Sequence, residues 1–377
     1  MSGPKPHAPA EPWRAFGAGV AALAALSSAC SGTQEPTAQT RGPIVYGNDD
    51  RVDAFDLPDA RARALISGAM VALVPSQVIR ATGGDLGRAT TWGDADMLCP
   101  GEPFADQPSA AFCSGVLVDW DLVLTADHCT RVYALEDFEA VFDYDYVESG
   151  KLGAIEAVPI AAIVAEELDP EGSVPRLDYA LLRLARPVQP PRQPAALYAV
   201  PPPLQVGDPV ISVGTPGGVP MKWDAGGHIR DDGAAVLDYF TADADNSGGS
   251  SGGGAFDEAL VLEGITARGG TDFVVTPSGC FTTVREPDGT LAEEQFTYAF
   301  RAVAGLCNSD PSASSLCRAE CGSPCQALPP PAEPAGGGCA LSGGRTGHAG
   351  GDPGPSGPTY GAVALLLAWR GRKRRAR

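Results

Sequence analysis

Between residues 186 and 203 the chain carries Pro187, Pro190, Pro191, Pro194, Pro201, Pro202 and Pro203, a density that neither a helix nor an interior strand can hold. Short runs of β-forming residues flank this span, at 69–74, 115–125, 154–164 and 179–184 before it, and at 209–213, 235–242, 259–266, 273–276 and 296–302 after it. Runs of this length, separated by turn residues, predict an all-β chain of barrels or sandwiches. The proline span then reads as the link between two β domains. The 47 glycines and 35 prolines agree, since they suit many short elements joined by turns, and 377 residues at 44% apolar composition suffice for a proper core.

The two ends read as addresses. Lys5 and Arg14 precede an uncharged run at 15–29 that ends at Cys30, the anatomy of an export signal. The stretch Leu26-Ser-Ser-Ala-Cys30 resembles the lipobox of bacterial lipoproteins, whose cysteine is acylated after cleavage, although Ser27 stands where Leu is usual. Acylation of Cys30 and simple signal cleavage both remain open. At the other end a Gly/Pro-rich stretch at 330–358 leads to an apolar run at 361–369 and then Arg370, Arg372, Lys373, Arg374, Arg375 and Arg377, a pattern that halts transfer with its charges on the cytoplasmic side. Together with Cys339 this resembles the sorting tails of the MYXO-CTERM type. The expected organisation is a signal at 1–30, a linker or short propeptide at 31–43, β domains at 44–190 and 191–310, and a cysteine-containing Gly/Pro-rich tail at 311–377. Such a protein is exported, and is either secreted or held at the cell surface or outer membrane by a terminal anchor at Cys30 or Cys339.

With residues 1–29 and 340–377 set aside, 18 basic residues face 44 acidic ones, a net charge of −26. Nucleic acid is excluded as a partner on that charge, and cationic substrates would be attracted. Apart from Cys30 and Cys339, eight cysteines remain, at 99, 113, 129, 280, 307, 317, 321 and 325. An even number in an exported chain predicts disulfides, and the spacing of Cys317, Cys321 and Cys325 has no histidine beside it to favour a metal.

The chemistry is concentrated at three places. The run Cys113-Ser-Gly-Val-Leu-Val followed by Leu122-Val-Leu-Thr-Ala-Asp-His128-Cys129 predicts an apolar hairpin that leaves a histidine where its second strand stops and sets Cys113 across from Cys129. A general base needs that placement, fixed at a strand end and open to a cleft. The segment resembles the Leu-Thr-Ala-x-His-Cys signature of the trypsin-like peptidase superfamily, which implies His128 as the base. Asp127, at the variable position, is expected to face solvent. Asp178-Tyr-Ala-Leu-Leu-Arg-Leu resembles the superfamily's Asp-x-Ala-Leu-Leu-x-Leu motif, which implies Asp178 as the acid that orients the histidine.

The third place is Asp245-Asn-Ser-Gly-Gly-Ser-Ser-Gly-Gly-Gly-Ala-Phe256. A nucleophile here needs a backbone that comes close to the oxyanion, with the amides of the serine and of the residue two before it aimed together. Ser251 has Gly249 at that position, whereas Ser247 would have Asp245. The superfamily pattern is matched except at Ser250, where an acidic or amide residue is usual, so a zymogen switch through that position is not expected. Ile44-Val-Tyr-Gly-Asn-Asp-Asp-Arg51 and Gly214-Thr-Pro-Gly-Gly-Val-Pro-Met-Lys222 resemble the glutamyl-endopeptidase branch, with Thr215 where a histidine often stands. The resemblance spans about residues 44–305.

For specificity, Asp245 lies six residues before Ser251, the spacing of the carboxylate that recognises Arg or Lys in trypsin-like enzymes. Thr266 and Gly269 fall on the strand that lines the pocket. Arg268, between them, could neutralise Asp245 or meet an acidic substrate. The resemblance thus implies two packed antiparallel β-barrels of the chymotrypsin-like fold with the active site between them. It implies a monomeric serine endopeptidase acting on polypeptides without metal or cofactor, with Gly249 and Ser251 amides in the oxyanion hole. A catalytically inactive binding module on the same fold is the alternative, motivated by Ser250 and the glycine-heavy loop.

Overall fold

A computed structural model of the protein describes residues 45–287, 294–318 and 324–328. The expected signal with Cys30, the linker, Cys321 and Cys339 with the basic terminus lie outside the described residues.

Six strands build the first barrel: β1 (Met70–Pro75), β2 (Cys113–Asp119), β3 (Leu122–Thr125), β4 (Phe138–Phe142), β5 (Glu156–Leu168) and β6 (Asp178–Leu184). They pair antiparallel in the order β6-β3-β2-β1-β4-β5, and β5 closes back on β6. The sequence dictates this locally. β1 to β3 are Val/Leu-rich and buried along their whole length, and only the turn at Trp120 and Asp121 separates β2 from β3. Each Val or Leu so buried contributes about 1.5–3 kcal/mol of transfer free energy. Cys113 and Cys129 are joined as the hairpin suggested, and further disulfides link Cys99 to Cys280 and Cys307 to Cys317.

The second barrel comprises β7 (Pro209–Gly214), β8 (Lys222–Asp231), β9 (Tyr239–Ala242), β10 (Gly254–Phe256), β11 (Leu262–Arg268) and β12 (Glu294–Tyr298). Its order is β7-β10-β11-β12-β9-β8, and a β7–β8 pairing closes it. The two closed antiparallel barrels are the architecture expected. β8 escaped sequence reading because its inner face is charged: Lys222 and Asp224 are both 2% exposed. The buried Lys222 ammonium donates to Asp53, Gln107 and the Pro220 carbonyl, which removes the penalty of hiding an unpaired charge.

Three other expectations are altered. The run at 296–302 is half strand: after Tyr298 the chain enters the helix Ala299–Ser309. The run at 273–276 forms a two-stranded hairpin with Phe281–Thr283 outside either barrel. The boundary between domains is also crossed at both ends. The strand Val52–Asp53 pairs with β8 of the second barrel, while the helix Ala299–Ser309 packs Gly305 against the Tyr179 hydroxyl of the first. These exchanges tie the barrels together, and one apolar core cluster runs through both.

Candidate active site

β3 ends at Thr125, and a tight turn from Asp127 to Arg131 carries His128. β6 opens on Asp178. His128 Nδ1 lies 2.8 Å from Asp178 Oδ2, and the His128 amide donates to Asp178 Oδ1 at 3.2 Å. The carboxylate is 2% exposed and the imidazole 38%, so one ring nitrogen is fixed from below while the other edge faces the cleft. Asp127 does not face solvent as expected. It is fully buried, accepting from Thr130 Oγ1 and from Arg131 Nε and Nη2, and that bidentate pair braces the turn under His128.

The loop from Asn246 to Gly253 brings Ser251 to the same place from the other barrel. The Ser251 carbonyl accepts from Ser114 N at 2.7 Å and lies 3.7 Å from Cys129 Sγ, next to His128. Gly252 permits the approach. Its φ is +82°, and a Cβ there would stand 2.1 Å from Thr125 Oγ1 and 2.2 Å from the Ser114 carbonyl. Ser247, the competing serine, is buried, and its hydroxyl has no hydrogen-bond partner among the described residues.

Two peptide groups in this loop are held by their carbonyls. Gly248 O accepts from Gly217 N at 2.6 Å, and Ser250 O from Gly253 N at 2.7 Å. In a trans peptide the N–H points opposite its C=O, so these bonds aim the Gly249 and Ser251 amides. Among the described residues neither amide donates to a protein group. Gly249 has φ +99°, and a Cβ on it would lie 2.5 Å from the Thr215 carbonyl. Its own carbonyl accepts from the hydroxyls of Ser114 (2.9 Å) and Thr215 (3.0 Å), which also contact each other. That hydroxyl pair was not anticipated. Its only signal was Thr215 at a position where the resembling branch often has histidine.

A cavity of about 150 Å³ beside Ser251 is lined by Ser247, Gly248, Thr266, Arg268, Gly269, Gly270, Asp272 and Glu294. Thr266 and Gly269 therefore lie where the pocket was expected, and Asp245 does not. Asp245 is 4% exposed, and its carboxylate accepts the backbone amides of Tyr46 (2.9 Å) and Asp50 (3.0 Å), so it anchors the N-terminal segment. Burial, with Asp224 nearby, pushes its pKa up to about 7. The cavity's carboxylates come instead from Asp272, which accepts Gly248 N at 2.7 Å, and from Glu294, packed against the Cα of Gly269. Burial raises the pKa of Asp272. These two were missed because they lie outside the motif, beyond β11. Arg268 does not meet Asp245 either; its guanidinium turns toward Asp178.

Cys113, His128 and Cys129 form the one grouping of potential metal ligands among the described residues, and the disulfide between the two cysteines removes them as thiolate donors.

No curated protein matches the chain. Among solved structures, the VesB protease of Vibrio cholerae is similar at 16% identity over 71% of this chain and 67% of that one, with a TM-score of 0.42. Neuropsin, a serine protease expressed in the limbic system of mouse brain, is similar at 18% identity over 54% of this chain and 91% of that one, with a TM-score of 0.38. Residues 113–265, the span that runs from the first half of the Cys113–Cys129 disulfide through His128, Asp178 and Ser251 into β11, match the model of the trypsin-like peptidase domain.

Proposed function

We propose that the protein is a serine endopeptidase. Ser251 attacks the scissile carbonyl, His128 takes its proton and returns it to the leaving amine, and Asp178 holds the imidazole in the right tautomer and stabilises the imidazolium. The Gly249 and Ser251 amides hold the oxyanion of the tetrahedral intermediate. Water then repeats the sequence on the acyl-enzyme. The observation that carries this reading is the pair of amides at Gly249 and Ser251 that donate to no protein group among the described residues, in a loop whose Ser251 carbonyl lies against Cys129, the neighbour of a histidine bonded to a buried carboxylate. A structural serine loop has no need of two aligned, unsatisfied donors. In an unliganded site the serine–histidine contact need not be closed, because such bonds tighten on substrate binding.

The preferred substrate carries a basic residue before the scissile bond. Asp272 and Glu294 supply negative charge to the cavity beside Ser251, and the cation on its wall, Arg268, is engaged with Asp178. We also read the protein as exported, which its three described disulfides favour, and as a monomer acting on polypeptides. Among the described residues no helix is long and apolar enough to cross a membrane.

The test is fluorophosphonate labelling of the purified protein with peptide mapping, beside peptidase assays of wild type and Ser251→Ala. Label on Ser251 and a loss of about 10⁶ in kcat in the variant are expected. Equal activity in the variant would refute the assignment, and an unlabelled, folded wild type would favour a binding module.

A further inference from the structure

Arg268 ends β11, and a bulge between Thr266 and Arg268 in the pairing with β12 breaks the register there. Bulges re-aim side chains, and this one sends the guanidinium out of its own barrel. Nη1 donates to the Arg176 carbonyl at 3.4 Å and Nη2 to the Leu177 carbonyl at 3.2 Å, both on the segment that leads into β6 of the first barrel. Nη2 also stands 3.7 Å from Asp178 Oδ2, the oxygen that bonds His128 Nδ1. The two side chains are 17% and 2% exposed, so the charges meet largely out of bulk water, where screening is weak. Arg268 is the one arginine or lysine within 4 Å of that carboxylate among the described residues.

We propose that Arg268 is a positioning residue for the peptidase reaction: from the second barrel it fixes the carboxylate that orients His128, and its charge offsets part of the carboxylate's pull on the imidazolium. The inference rests on the peptidase reading above. Two consequences follow. Losing the guanidinium loosens Asp178, which lowers kcat with little change in KM for substrates that do not touch Arg268. Losing the positive charge makes the imidazolium easier to form, so the base stays protonated to a higher pH and the acid limb of the kcat/KM profile moves upward. A strut with no electrostatic part would lower the plateau and leave the limb in place.

The other charged and titratable groups near this pair are Asp127 and Arg131 on the turn of His128, Glu166 and Glu167 on β5, Asp169 and Arg176 ahead of β6, and Tyr239 on β9. All of them persist in the variants, so a moved limb is assigned to residue 268.

The experiment compares pH profiles of wild type, Arg268→Gln and Arg268→Lys in the full chain, with folding checked by circular dichroism. Arg268→Gln should lose about tenfold in kcat and shift the acid limb up by about one pH unit. Arg268→Lys should keep the wild-type limb while kcat stays reduced, because a lysine supplies the charge without the two-pronged hold. An unmoved limb in Arg268→Gln, a moved one in Arg268→Lys, or a change confined to KM for acidic substrates would each overturn the proposal. Should the Gln variant not fold, Arg268→Met, which removes the same charge, takes its place, because an unmoved limb in Arg268→Lys is also what a strut would give. Ser251 labelling tests the peptidase reading separately. If wild type neither labels nor cleaves, the His128 imidazole is followed by NMR across pH in the same three proteins, assigned with His128→Gln. An upward shift in Arg268→Gln then supports the coupling, and no shift removes it.

Discussion

The two barrels share one circular strand order, since β1 to β6 and β7 to β12 pair in the same sequence around their rings, yet they hold their parts of the site by different means. The first barrel fixes a side chain with a side chain: Asp178 against His128, both at strand ends above an almost wholly apolar interior. The second fixes a backbone with a backbone, through Gly217 and Gly253 amides on carbonyls of the loop from Asn246 to Gly253. Beside its apolar core it also buries charged and polar side chains on its strands, among them Lys222, Asp224, Glu263, Thr266, Glu294 and Thr297. The difference has a physical origin. A general base needs one group held at one distance, whereas an oxyanion hole needs several amides converging on one point, and only bent, glycine-rich backbone can aim them.

The comparison breaks most readily at Gly249. A Cβ in that left-handed conformation, 2.5 Å from the Thr215 carbonyl, must rotate the peptide that carries the Gly249 amide, the first donor of the proposed oxyanion hole. Gly249→Ala should therefore lose about 10²–10³ in kcat, the scale of one oxyanion donor, while circular dichroism shows the barrels intact. A near-normal kcat would mean that the backbone does not carry what has been ascribed to it.

A smaller effect tests where the second barrel keeps its selectivity. Asp272→Asn retains an oxygen for Gly248 N and removes one charge from the cavity. Hydrolysis after Lys or Arg should fall about tenfold in kcat/KM, a loss of about 1.4 kcal/mol in transition-state binding, with neutral substrates unchanged. Equal losses on both substrate types would assign Asp272 to loop support alone.

The smallest effect concerns one of these buried polar groups. Burial, with Asp257 and Asp208 nearby, pushes the Glu263 carboxyl up to about 8, and its Oε2 lacks a hydrogen-bond partner among the described residues. The folded state therefore binds this proton where the unfolded chain has lost it. Stability from this group is greatest near pH 4 and declines as pH rises toward 8. Glu263→Gln should leave Tm nearly unchanged at pH 4 and raise it by several degrees at pH 9. A variant destabilised equally at both pH values would show that Glu263 acts through packing.

Much of the first barrel could be read from the chain because its strands obey local rules. Residues 113–125 are apolar and β-branched, and the motifs of His128 and Asp178 sit at their ends. Less of the second barrel was legible. β8 hides Lys222 behind partners more than a hundred residues away, Asp53 and Gln107, and Asp224 behind the amides of Gly226 and Asp245, and β10 is only Gly254, Ala255 and Phe256. Propensity cannot reveal a strand whose stability is supplied from elsewhere. The run at 296–302 failed for a related reason, because the helix after Tyr298 is set by the apolar face it buries against both barrels.

By itself the sequence determined which residue types could perform the chemistry, a histidine and an aspartate at strand ends and a serine among glycines, because those requirements are local to a few positions. Tertiary structure alone decided what surrounds them. Asp245, Arg268, Asp272 and Glu294 are all ionisable residues near the motifs, and spacing assigned the first to the pocket. Folding gave Asp245 to the amides of Tyr46 and Asp50, turned Arg268 to Asp178, and left Asp272 and Glu294 beside Ser251. A charge acts over a few ångströms of space, and distance along the chain does not say which ångströms those will be.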